Sequence, residues 1–107
     1  MILSSCRVRA VTIAVPTVAH ASVGLAALGR GLAVLIEKPL AGTLEEADAL
    51  IAAASRQGLP LQVGHIERFN RALRAAEPYL DGPRFMESQR LAPFQPRGTD
   101  VAVILDL

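Results

Sequence analysis

Apolar and polar positions change their spacing repeatedly along this chain, and each change predicts a new element. Residues 9–15 (Arg-Ala-Val-Thr-Ile-Ala-Val) are β-branched and mostly apolar, the pattern of a strand buried on both faces of a parallel sheet. Pro16 and Thr17 end it. Thr17 is placed to cap a helix in which Val18, Ala21, Leu25 and Leu28 recur at roughly helical spacing, with Gly29 or Gly31 as the stop. A second apolar run, 32–36, follows at once, giving a strand-helix-strand unit with an expected right-handed crossover. Thr43-Leu44-Glu45-Glu46 is a capping box, and Leu44, Ala47, Leu50, Ile51 and Ala54 fall along one face of the helix it opens. Gly58 marks the exit. Residues 59–66 read as a third strand, with Pro60 near its start, where a missing N–H is tolerated. This alternation predicts an α/β fold built on a doubly wound parallel sheet.

The pattern then loosens. Residues 71–80 predict a short helix opened by Asn70 and closed near Asp81-Gly82-Pro83. Residues 85–91 alternate in the manner of a strand with one wet face, which suits a separate antiparallel sheet. Residues 92–100, with two prolines and a glycine, read as loop, and 101–107 as an apolar segment.

Composition narrows the function classes. At 107 residues the chain is one domain or part of one. A net charge of +1 with both signs interspersed points to neither nucleic acid nor an anionic membrane surface, and scarce aromatics with no Trp argue against a base-stacking platform. Cys6 is the sole cysteine, so no intramolecular disulfide forms, and a reducing, cytoplasmic compartment is expected. Leu3-Ser4-Ser5-Cys6 looks like a lipoprotein cleavage site, but no basic segment and no hydrophobic stretch precede it. Residues 10–29 carry no charge and are long enough for a membrane helix; Pro16 and the change of period there break the run into strand, turn and helix instead.

The candidate chemistry lies at the end of the second apolar run, where Glu37-Lys38-Pro39-Leu40 puts two charged residues before a proline. Ligands of open α/β sheets bind beyond the carboxyl ends of strands, so a lysine there faces a substrate or cofactor. Pro39 fixes its own φ and biases Lys38 toward an extended conformation. The alternative is a solvated ion pair at a strand terminus.

Taken in order, Ala14-Val15-Pro16-Thr17, His20, Glu37-Lys38-Pro39-Leu40, Gly64-His65-Ile66-Glu67-Arg68-Phe69-Asn70 and Gly98-Thr99-Asp100 resemble the glucose-fructose oxidoreductase, inositol dehydrogenase and rhizopine-catabolism (Gfo/Idh/MocA) family of sugar dehydrogenases. The resemblance runs from about Arg9 to the last residue. It implies that residues 1–66 are the later part of a Rossmann-like domain binding NAD or NADP, and that 67–107 begin an α+β substrate domain. It also implies that Val15, Pro16, Thr17, His20, Glu37, Lys38 and Pro39 line the cofactor, with Lys38 catalytic. His65, Arg68 and Asn70 are implied to meet a sugar substrate, in a parent enzyme expected to be a homo-oligomer. For His20 the alternative is a helix-start histidine meeting solvent or a backbone group; for His65, a satisfied structural histidine; for Arg68, a domain-joining ion pair. Glu37 either binds cofactor ribose, orients the lysine or is purely structural. No metal site is read from the sequence.

Two departures bear on activity. No Gly-x-Gly-x-x-Gly occurs, so the turn that cradles a pyrophosphate is missing and dinucleotide affinity is expected to be poor. The family's catalytic histidine, by resemblance, follows the position of Asp106-Leu107, and neither His20 nor His65 occupies that place. The chain is therefore expected to be an internal fragment of an oxidoreductase, inactive alone. A second reading is a non-catalytic α/β module that pairs through the strand expected at 85–91.

Overall fold

The computed structural model describes residues 7–85, 87 and 89. They divide into two compact units, one running to Gly64 and the other starting at His65.

The first unit is a parallel sheet of three strands, β1 (Ala10–Ile13), β2 (Ala33–Ile36) and β3 (Leu61–Val63), hydrogen-bonded in the order β1-β2-β3. Helix α1 (His20–Leu28) connects the first pair and α2 (Leu44–Gln57) the second. Val11, Ile13, Val34, Ile36, Leu61 and Val63 share one face by the register of the ladder, and both helices lie on that face. The core forms between them, with Leu28, Ile36 and Leu50 fully buried.

The fold is α/β and Rossmann-like, but the winding differs from expectation. Strand order runs straight through, without the reversal that sends helices to opposite faces, so the described part is wound on one side only. Ala10, Thr12, Leu35 and Gln62 are accordingly exposed, and β1 is not buried on both faces. The strands are also shorter than the apolar runs that predict them. Ladder pairing stops at Ile13 and Val63, while Ile66 begins a 3-10 turn (Ile66–Phe69) and is exposed.

Thr17 does not cap a helix. It opens a 3-10 turn (Thr17–Ala19) closed by the Ala19 N–H donating to the Pro16 carbonyl at 2.9 Å, and α1 starts only at His20. The buried stripe of α1 is His20, Ala21, Gly24, Ala27 and Leu28, and Val18 is 73% exposed. Gly31 takes φ 76° in the turn into β2, a conformation that suits a residue without Cβ.

α2 opens as its sequence predicts. The Thr43 hydroxyl accepts from the Glu46 N–H at 3.2 Å, and the Glu46 carboxylate accepts from the Thr43 and Gly42 N–H groups at 3.3 and 3.0 Å. Gly58 closes it in the left-handed region with φ 63°. Its buried residues are Leu50, Ala53 and Ala54, whereas Leu44 is 80% and Ile51 50% exposed.

The second unit holds the 3-10 turn Ile66–Phe69, α3 (Arg71–Ala76) and a further 3-10 turn, Glu77–Tyr79. The helix expected over 71–80 thus tightens at its end, where Pro78 supplies no N–H for another α-turn. No described residue of this unit is buried. The strand expected at 85–91 lies outside the described residues except for Phe85, Glu87 and Gln89, as do Cys6 and the segments 92–100 and 101–107. Among the described residues no helix is long and apolar enough to cross a membrane, and 10–29 divide into β1, a 3-10 turn and α1.

Candidate functional site

The three strands finish level. Ile13 pairs with Ile36 and Ile36 with Val63, and the next rung is closed by the Glu37 N–H donating to the Ile13 carbonyl at 2.9 Å and the Gly64 N–H to the Ile36 carbonyl at 2.8 Å. Parallel strands place all three carboxyl ends on one edge. Ala14 and Val15 leave β1 there, Glu37 and Lys38 leave β2, and Gly64 leaves β3.

Glu37 and Lys38 are half-buried, and the Lys38–Pro39 peptide is cis. The Glu37 carboxylate lies against the backbone of Gly64: a Cβ at position 64 would stand 3.0 Å from its Oε2 and 3.2 Å from its Oε1. A side chain at position 64 would therefore make the Glu37 carboxylate give way by a few tenths of an ångström.

His20 joins two of the three strand ends. Its ring is 1% exposed, with Nδ1 2.8 Å from the Pro39 carbonyl oxygen and Nε2 2.9 Å from that of Val15. A neutral imidazole donates from one nitrogen and a doubly protonated ring from both. Both ring nitrogens thus stand within hydrogen-bond distance of backbone carbonyls. Pro39 was not legible as its partner, because the contact joins residues far apart in the chain.

Pro16 is exposed, Thr17 half-buried in the 3-10 turn, and Pro39 buried. His65, Arg68 and Asn70 belong to the second unit. His65 precedes the Ile66–Phe69 turn and its carbonyl accepts from the Arg68 N–H at 3.2 Å. The Asn70 carboxamide caps α3, its oxygen accepting from the Ala72 N–H at 2.9 Å while its nitrogen donates to Glu67 at 2.8 Å. The Arg68 and His65 side chains are exposed.

One signal in the composition was open to reading: the chain carries a single lysine beside ten arginines, and that lysine is Lys38. Where arginine supplies every other basic side-chain charge, the one side-chain ammonium sits just past a strand end.

Residues 1–65 match the GFO_IDH_MocA family, an oxidoreductase family with an NAD-binding Rossmann fold. The chain belongs to this family. Over 101 residues it is 45% identical to UDP-N-acetylglucosamine 3-dehydrogenase of Acidithiobacillus ferrooxidans, covering 94% of this chain and 32% of that protein. It is 38% identical over 63 residues to 4-carboxy-2-hydroxymuconate-6-semialdehyde dehydrogenase of a Sphingobium species, covering 59% and 20%. The solved structure of the Acidithiobacillus dehydrogenase superposes with a TM-score of 0.78 over 91% of this chain and 32% of that one. For myo-inositol 2-dehydrogenase from Lactobacillus plantarum the TM-score is 0.67 at 26% identity, over 75% and 24%. This GFO_IDH_MocA chain thus spans a third or less of the curated relatives it matches.

Proposed function

We propose that this chain forms the nicotinamide- and substrate-facing part of an NAD(P)-dependent dehydrogenase acting on the CH–OH group of a sugar, sugar derivative or nucleotide sugar. The observation that supports it most is the position of Lys38, two residues past the middle strand of a parallel sheet, on the edge where open α/β sheets take ligands. The 45% identity to a UDP-N-acetylglucosamine 3-dehydrogenase favours a nucleotide-linked sugar.

The residues present suit the nicotinamide half of such a cofactor, with partly exposed polar groups at a level row of strand ends. They do not suit its pyrophosphate, for which the chain has no Gly-x-Gly-x-x-Gly turn. Bound there, a nicotinamide would supply the hydride acceptor for the carbinol carbon. Lys38 stabilises the oxygen left on that carbon and assists transfer of the hydroxyl proton. Val15, Pro16 and Thr17 border the cofactor from the β1 side, and Pro39 closes the turn behind the lysine. Glu37 binds a ribose hydroxyl or orients Lys38, from the place Gly64 leaves open to it. His65, Arg68 and Asn70 serve the substrate, where the planar fork of Arg68 fits hydroxyls or the phosphate of a nucleotide-linked sugar. The same reading has the activity belong to a homo-oligomeric cytoplasmic enzyme using NAD or NADP.

The test is a titration of isotopically labelled chain with NAD⁺ and UDP-N-acetylglucosamine, followed amide by amide into the millimolar range, where weak binding still registers. The expected result is shifts confined to Val15, Thr17, Glu37 and Lys38 and to the segment carrying His65 and Arg68. No shift at millimolar ligand, or shifts gathered on the outer face of α2, would overturn the proposal.

A further inference from the structure

Lys38 is held through its neighbours on either side. Before it, the Glu37 N–H donates to the Ile13 carbonyl at 2.9 Å, extending the ladder by one rung. After it, the Pro39 carbonyl meets His20 Nδ1 at 2.8 Å. The ring of Pro39 sets its φ, so a bond to its carbonyl restrains ψ, the one soft torsion that residue has left. His20 is itself anchored at the other end of its ring, where Nε2 stands 2.9 Å from the Val15 carbonyl, and it is the first residue of a helix whose Gly24 lies against Leu50 and Ile36.

We infer that His20 is a positioning residue for Lys38: its ring ties the exit of β1 to the Pro39 carbonyl and so fixes the course of the backbone on which the lysine stands. Shape alone does not require a histidine at this place. A buried apolar side chain of similar size would fill the space but would offer neither carbonyl a donor, whereas the imidazole supplies at least one N–H between them. The inference rests on reading Lys38 as the group that handles the substrate proton.

The single lysine makes the test direct. Reductive ¹³C-methylation places one side-chain probe in the chain, at Lys38, apart from the terminal amine. His20→Asn keeps an amide donor near the Nδ1 position and hence the bond to Pro39. His20→Gln carries its donor out toward the Nε2 position and Val15 instead. The expected result is a Lys38 methyl signal that keeps its wild-type shift in His20→Asn and moves to the position of a lysine in a flexible peptide in His20→Gln, with strand amides unchanged in both. Equal signals in the two variants, both moved or both unmoved, would overturn the inference, since packing alone would not distinguish them. If His20→Gln does not fold, the wild type decides: a His20 ring N–H that exchanges with solvent far more slowly than that of exposed His65 supports the tie, and equal rates overturn it. The two proposals fail separately, because a missing NAD⁺ response with Lys38 still sensitive to His20 defeats only the dehydrogenase reading.

Discussion

At the scale of single residues, Gly24 and Gly64 matter through the side chain they lack. A Cβ on Gly24 would come within 2.7 Å of the Leu50 Cδ2 and 3.0 Å of the Ile36 Cδ1, where α1 closes on α2 and β2. Leu50 and Ile36 are fully buried, so neither can swing aside into solvent. Gly24→Ala is therefore expected to destabilise the chain by about 1–3 kcal/mol through overpacking, against a gain of about 1 kcal/mol in helix propensity. A lowered urea midpoint checks it, and a raised one would mean that α1 moves outward at little cost. The sequence marks Gly24 only as a poor helix former, and what makes glycine right there is a helix and a strand arriving from elsewhere. The place of Lys38 beyond a strand end was legible because the signal is local, an apolar run ending in a charge before proline. The contact between His20 and Pro39 was not, since the two meet only once the chain has folded.

At the scale of elements, α2 was the most legible and its first turn the most testable. Thr43→Ala removes the oxygen that accepts from the Glu46 N–H and is expected to cost about 1 kcal/mol, read as a fall in thermal midpoint. Glu45 adds a pH dependence. Its own backbone N–H, and after it the Thr43 hydroxyl, hold this carboxyl below the usual carboxylate range. The folded state then binds the proton less readily than the unfolded one, so the contribution is present above the ordinary carboxylate value and lost as pH falls through the lowered one. Glu45→Gln is expected to flatten the acid side of the stability profile slightly, the group being fully exposed. The capping box could be read because all of its partners lie within a few residues. The buried face of α2 could not: Leu44 and Ile51 fit a helical stripe as well as Leu50 does, and only the position of α1 selects Leu50, Ala53 and Ala54. In α1, nearly every residue is apolar or small, so periodicity alone offers several stripes, and the structure takes the one that turns His20 inward. Strand lengths were overestimated because apolar residues continue past the last paired rung.

At the scale of the whole molecule, the two units differ in what holds them. The unit ending at Gly64 has a core of aliphatic side chains from three strands and two helices, while the described residues of the second include none that is buried. Amides of β2 and α2 are therefore expected to exchange with deuterium far more slowly than those of α3, because local opening exposes little in a unit that buries little. Comparable protection in both would show that α3 is secured by contacts beyond its own unit. The α/β class and the order of strands and helices could be read from the sequence, whereas the one-sided winding could not, because exposed Leu35 and buried Ile36 are equally apolar. The level finish of β1, β2 and β3 has a consequence for change over time. Since the ladder is complete before Val15, Lys38 and His65 are reached, connecting segments beyond that line can lengthen, shorten or be exchanged without altering a single strand pairing. Such an arrangement lets one scaffold accept different loops at its strand ends without refolding its sheet.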